Sequence, residues 1–285
     1  MEENKISKQT DADKAKRHEE NLKRLKKLRP IDDMFLRALL KENIPLAQMI
    51  LRIIMQKDDL KVIHCTSQAD FKRVTGARSI CLDAYATDDT GKKYDIEVQR
   101  ADSCADVHRA RYHASMMDVE NLDERQDFGD LPDTYIIFIT ENDYFGENQP
   151  LYHAERVITT LNKPLNDGNH IIYVNGQYRG HDPIGKLMHD FFCNNAYDMH
   201  YDLLANETKY LKENKKGVDT MCEVMEELKL EGKIEGKIEG KKETAYEMFK
   251  DKEPIEKIAK YSKVDLETAK TWIKEFSKTV KKSCI

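Results

Sequence analysis

An α/β fold with a helical C-terminal extension is predicted by three observations on this 285-residue chain. Residues 79–100, SICLDAYATDDTGKKYDIEVQR, hold two runs of alternating apolar and polar positions on either side of DDTG, the pattern of a β-hairpin. Between Ile31 and Leu211, segments with helical apolar spacing alternate with short runs rich in β-branched and aromatic residues. Beyond that, the text becomes charged and repetitive and carries no strand signal.

Composition limits the possibilities. A hydrophobic content of 40% supplies a core for part of the chain, whereas 35% charged residues and a mean hydropathy of −0.73 are too polar for one globule. The net charge of −5 neither favours nor excludes nucleic acid, because a basic patch can sit on a mildly acidic protein. With no apolar run of membrane-spanning length and no apolar signal segment in MEENKISKQT, the expected location is cytoplasmic. The six cysteines lack C-x-x-C spacing, as expected of reduced thiols. His64 with Cys65 and Cys104 with His108 are poor zinc candidates for want of further ligands nearby.

In chain order, residues 1–30 read as a charged arm, either disordered or a fraying helix, with a solvated tail the favoured reading over a basic end, LKRLKKLRP, that meets phosphate. Phe35, Leu36, Leu39 and Leu40, then Leu46, Met49, Ile50, Ile53 and Ile54, mark two helices broken near Asn43–Pro45, with Asp32 or Asp33 capping the first. Leu60–Cys65 reads as a short strand, and QADFKRVTGARS leads into the hairpin. Residues 101–122 suit an amphipathic helix buried through Val107, Ala110, Tyr112 or Ala114, Met117 and Leu122. Asp133–Thr140 has the continuous apolar run of a buried strand, and NHIIYVNGQYRG is a strand entering an Asn-Gly turn. Gly185–Leu211 reads as helical, packed by Phe191, Phe192, Tyr197, Met199 and Leu203.

The hairpin turn fixes a register. If Asp89, Thr90 and Gly91 form a three-residue loop with Gly91 left-handed, Asp83 faces Glu97, Tyr85 faces Asp95 and Cys81 faces Gln99. Opposed acids destabilise a sheet, and a divalent cation held between them removes the objection. Arg109 and Tyr112 share a face of the following helix, where Arg109 is either a phosphate contact or a solvated surface residue.

The C-terminal part contains LEGK, IEGK and IEGK in tandem from Leu230, placing Gly232, Gly236 and Gly240 along one stripe of a helix at roughly 1 kcal/mol each relative to alanine. A plain connector is the favoured reading over close helix–helix self-association. EPIEKIAKYSKVDLETAKTWIKEF offers two short helices with a turn at Ser262–Asp265 and Asp265 as a cap. Its dimensions match a helix-turn-helix, with Lys260, Lys263, Lys270 and Lys274 facing phosphate, although lysine-bearing helix pairs are common. The chain thus divides into an arm (1–30), a compact domain (31–210), a charged connector (211–242) and a helical tail (243–285).

An initial helix, LDAYATDDTGKKYDIEVQ, a helix with RARYH and an apolar strand resemble the PD-(D/E)XK nuclease superfamily, and within it the recombination-promoting nucleases, or transposases of the PD-(D/E)XK type. The likeness covers roughly Ile31–Tyr210 and extends to the repeat and tail. It implies a restriction-endonuclease-like core, a mixed β-sheet flanked by helices, and cleavage of DNA with magnesium, or manganese in its place.

Carried over onto this chain, the likeness makes Asp83 and Glu97 the metal-holding acids, with the Val98 carbonyl as a further neutral ligand. It sets Gln99 where the wider superfamily has lysine; glutamine there is usual for the transposase-like branch. Gln99 can orient a water but cannot carry charge, so Arg109 is the candidate for charge stabilisation. Asp95 either ligates a second ion or solvates the strand end. The expected activity is that of a DNA endonuclease, the alternative being a weak or inactive relative that binds DNA or a protein partner through its tail. Self-association through the C-terminal helices is a further expectation.

Overall fold

The computed structural model describes residue 16 and residues 18–71, 80–100 and 105–282, with side chains at all of these except 68–71, 81, 231, 235 and 277–282. Cys104, Cys284 and most of the QADFKRVTGARS lead lie outside the described residues, as does the Cys81 side chain. The described residues form two compact units, one ending at Val224 and one running from Met225 onward.

The first unit is built on a mixed six-stranded sheet of order β1-β2-β3-β4-β8-β5, flanked by helices, a restriction-endonuclease-like α/β fold. Strands β1 (Val62–Phe71), β2 (Ile80–Asp88) and β3 (Lys93–Gln99) are antiparallel; β3, β4 (Thr134–Thr140) and β8 (Asn169–Asn175) are parallel; β5 (Leu151–Ala154) closes the edge antiparallel to β8. Two-residue strands β6 (Val157–Ile158) and β7 (Lys163–Pro164) pair separately. The helices of this unit are α1 (Asp33–Leu40), α2 (Ile44–Met55), α3 (Val107–Glu120), α4 (Pro183–Phe192) and α5 (Asp202–Glu213). Every residue of β4 is buried, because a strand with parallel neighbours on both sides and covered faces leaves no polar side; TYIIFIT meets that demand.

The hairpin forms around Asp88. Its Oδ1 accepts from the N–H groups of Thr90 and Lys92 and from the Thr90 hydroxyl, and Gly91, at φ +86°, donates to the Asp88 carbonyl at 3.1 Å. A left-handed residue is needed there, which glycine supplies without strain. The resulting pairs, Tyr85 with Asp95, Ala84 with Ile96 and Thr87 with Lys93, follow the register expected from DDTG.

Several expectations need correction. Residues 18–25 are helical, the less favoured of the two readings of the arm; Leu25 is buried, and the Ile31 N–H donates to the Phe191 carbonyl at 3.0 Å. Asp32 occupies the N-cap position of α1, but its side chain turns back to accept from Arg29 N–H at 2.8 Å, whereas Asn43 does cap α2 through Leu46 N–H. Strand β1 runs to Phe71, well past Cys65, because pairing with β2 carries it beyond the apolar text.

Along α3 the buried stripe is Ala110, His113, Ala114, Met116 and Met117, while Val107 is exposed in the first turn. The stretch read as one helix after Gly185 is two, joined through a short 3-10 turn at Ala196–Asp198 that leaves Tyr197 exposed. The buried Asp190 carboxylate accepts from the N–H groups of His200 and Tyr201 and so sets the start of α5.

Helix α6 (Lys215–Lys250) carries the EGK repeat, and a Cβ added at Gly232, Gly236 or Gly240 would meet no atom within 4 Å. In the second unit Ala245, Ile258 and Phe276 form a small core with Tyr246, Phe249 and Trp272 against it. Helices α7 (Ile255–Ser262) and α8 (Leu266–Lys282) meet at a turn where Asp265 accepts from Thr268 N–H at 2.8 Å, the expected cap. Lys270 pairs with Glu267, and Lys260 lies over the Tyr261 ring. Among the described residues no helix is long and apolar enough to cross a membrane.

Candidate active site

The alternation of β3 sends Asp95, Glu97 and Gln99 to one face and Tyr94, Ile96 and Val98 to the other. Helix α3 packs over the acidic face, its Ala110, Ala114 and Met117 meeting Ile136, Phe138 and Tyr173. Asp95 and Glu97 are fully buried, and Asp83 nearly so. A face that a surface hairpin would have solvated is therefore a buried acidic cluster.

Regular pairing of β2 with β3 reaches Ala84 and Ile96 and then gives way to side chains. The Asp83 N–H donates to Glu97 Oε1 at 3.0 Å, and the Val98 N–H donates to Asp83 Oδ2 at 3.2 Å. The two acids thus tie the strands together through the main-chain N–H groups of Asp83 and Val98. Glu97 Oε2 accepts from Gln99 Nε2 at 3.1 Å and, at 3.4 Å, from Arg109 Nη2. Gln99 is accordingly held by the acid it neighbours, and Arg109, about two-fifths exposed, stands at the rim with its guanidinium on Glu97.

Two partners were not foreseen from the chain. Arg37 of α1 donates to Asp83 Oδ1 through Nη2 at 2.8 Å and Nε at 3.1 Å, and also pairs with Asp33. His113 of α3, buried against the edge of Phe138, has Nδ1 2.9 Å from Asp95 Oδ2. Ligand atoms of Asp95, Glu97 and His113 all lie within 4.8 Å of one another. The signal for His113 was its place three residues after Ala110 on the buried stripe, where a histidine needs a polar partner.

The electrostatics are those of confined like charges. Burial, and then the charges of Glu97 and Asp33, push the Asp83 carboxyl well above the usual range despite Arg37. Burial and the Asp83 charge do the same to Asp95. Glu97 is pushed up to about 8 by burial and then by Asp95, with His113 and Arg109 opposing.

Asp95 Oδ1 is buried with no hydrogen-bond partner. An oxygen-rich set of acids with an unsatisfied buried oxygen suits a hard divalent cation.

Arg37 is the nearest cation on Asp83. Arg37→Ala is expected to lower the urea unfolding stability by about 2 kcal/mol, because it takes two charge-assisted hydrogen bonds from a buried carboxyl. An unchanged midpoint would show that Asp83 does not depend on this pairing.

Residues 39–177 match the family model described as PD-(D/E)XK nuclease family transposase. No curated protein and no solved structure matches the chain.

Proposed function

We propose that this chain, whose residues 39–177 belong to the PD-(D/E)XK nuclease family transposases, is a metal-dependent DNA endonuclease that hydrolyses phosphodiester bonds. The observation that carries the reading is the buried, mutually connected pair Asp83 and Glu97, with Asp95 beside it and Arg109 at its rim.

Asp83 and Glu97 would hold magnesium, or manganese, with the Val98 carbonyl as a neutral ligand; the ion supplies a nucleophilic water and neutralises charge on the phosphate. Asp95 enlarges the acidic set. Arg37 keeps Asp83 in place and partly offsets its charge. Arg109, partly exposed, is suited to receive a phosphate oxygen when DNA draws it from Glu97. Gln99 orients water through its amide and contributes no charge. The reading includes a cytoplasmic place of action, which cysteines without paired spacing support.

Gln99 also favours a second reading. Its amide is engaged with Glu97 and stands where a lysine would act as a base, so a weak or inactive nuclease that binds DNA or a protein partner through α7 and α8 is the alternative. Supercoiled plasmid incubated with the protein and magnesium separates the two. Nicking that disappears in Asp83→Ala and in Glu97→Ala supports the enzyme; nicking that persists in both variants removes this site, and no nicking by the wild type leaves the binding role.

A further inference from the structure

Outside the acidic pocket, two imidazoles and a carboxylate converge at the far edge of the sheet. His153 lies on β5, His170 on β8, and Glu155 follows directly after β5. His153 Nε2 is 3.2 Å from His170 Nδ1, His170 Nδ1 is 3.0 Å from Glu155 Oε1, and His153 Nε2 is 3.4 Å from the same oxygen. Hydrogen bonding satisfies two edges of this triangle at a time and leaves the third less well served. The two nitrogens and the oxygen approach one another pairwise, and a proton placed on either nitrogen serves one contact well while crowding or slighting another.

A single cation satisfies all three. Nitrogen and carboxylate ligands about 2.0–2.2 Å from a zinc ion lie about 3.3–3.6 Å apart in a tetrahedron and about 2.8–3.1 Å apart at right angles. The observed edges of 3.0, 3.2 and 3.4 Å fall in that range.

We propose that His153, Glu155 and His170 form a binding site for a borderline divalent metal ion of the zinc type, separate from the nuclease pocket. Two neutral imidazoles and one carboxylate favour zinc over magnesium, whose preference is for oxygen. The His170 ring is held in place by stacking on Tyr135 at 4.4 Å, which in turn stacks on Tyr94. That row belongs to the sheet face opposite Asp95 and Glu97. His153 and Glu155 are each about two-fifths exposed, so an ion enters from solvent and keeps water in the remaining positions. Bound there, it ties the short edge strand β5 to β8 at the point where their pairing ends.

Zinc titration of the full chain by calorimetry, in excess magnesium to occupy the acidic pocket, tests the site. Wild type is expected to bind one zinc ion more than His153→Gln and Glu155→Gln, or to bind it at least about tenfold more tightly. Both substitutions change exposed side chains and leave the His189–Cys193 cluster intact, so the difference reports this site alone. Asp83→Asn is expected to retain the zinc ion that His153→Gln and Glu155→Gln lose, which keeps the result independent of nuclease activity. Equal zinc binding by wild type and both edge variants overturns the proposal, as does a loss of that zinc in Asp83→Asn.

Discussion

Glu97→Gln is expected to reduce magnesium-dependent plasmid nicking by on the order of a hundredfold or more while leaving the chain folded. The substitution keeps the side chain's size and an oxygen able to accept from the Asp83 N–H, but removes the negative charge. It also relieves a buried charge that Asp95 repels, so metal-free stability above pH 8 should equal or exceed that of wild type. Nicking assays paired with thermal melts check both halves. Wild-type nicking by the variant would rule out Glu97 as a metal-holding acid, and a collapsed fold would assign it a structural role instead.

The second large effect is on the pH dependence of stability. Glu97 has an ordinary value of 4.5 and stands at about 8 in the folded chain, chiefly through burial and then through Asp95. The folded chain thus keeps a proton that the unfolded chain releases across this window. The contribution is fully present below about 4.5 and is lost as pH rises through about 8, by on the order of a few kcal/mol.

Asp83 and Asp95 are shifted in the same direction. Magnesium should act oppositely, since binding displaces the proton, and its stabilisation should grow with pH. Urea midpoints at about pH 5 and about pH 9, with and without magnesium, measure this. The wild-type slope should exceed that of Glu97→Gln; identical slopes would mean that Glu97 ionises normally when folded.

What could be read from the chain was what depends on neighbours in sequence. The DDTG turn and the period-two pattern beside it were enough to bring Tyr85 opposite Asp95 and to put Asp83 and Glu97 together, because a tight turn with one left-handed glycine leaves a single register. Residues 39–177 bear out the family likeness drawn from the same motif.

What could not be read depends on distant partners. Arg37 meets Asp83 across 46 residues and His113 meets Asp95 across 18, and neither has a local pattern to announce it. Val107 has the right spacing for the buried face of α3, yet it falls in an exposed first turn. Strand β5 is four residues long and lacks alternation, so the cluster at its end had no precursor in the text.

The hairpin holds one further consequence. At the point where β2 and β3 stop exchanging main-chain bonds, Asp83 and Glu97 take over the fastening by accepting the amides of Val98 and Asp83. The two acids suited to grip an ion are therefore also the rivets of their own seam. Asp83 Oδ2 and Glu97 Oε1 are committed to this seam, which leaves Asp83 Oδ1 and Glu97 Oε2, now facing Arg37, Gln99 and Arg109, as the oxygens that can change partner without parting the strands.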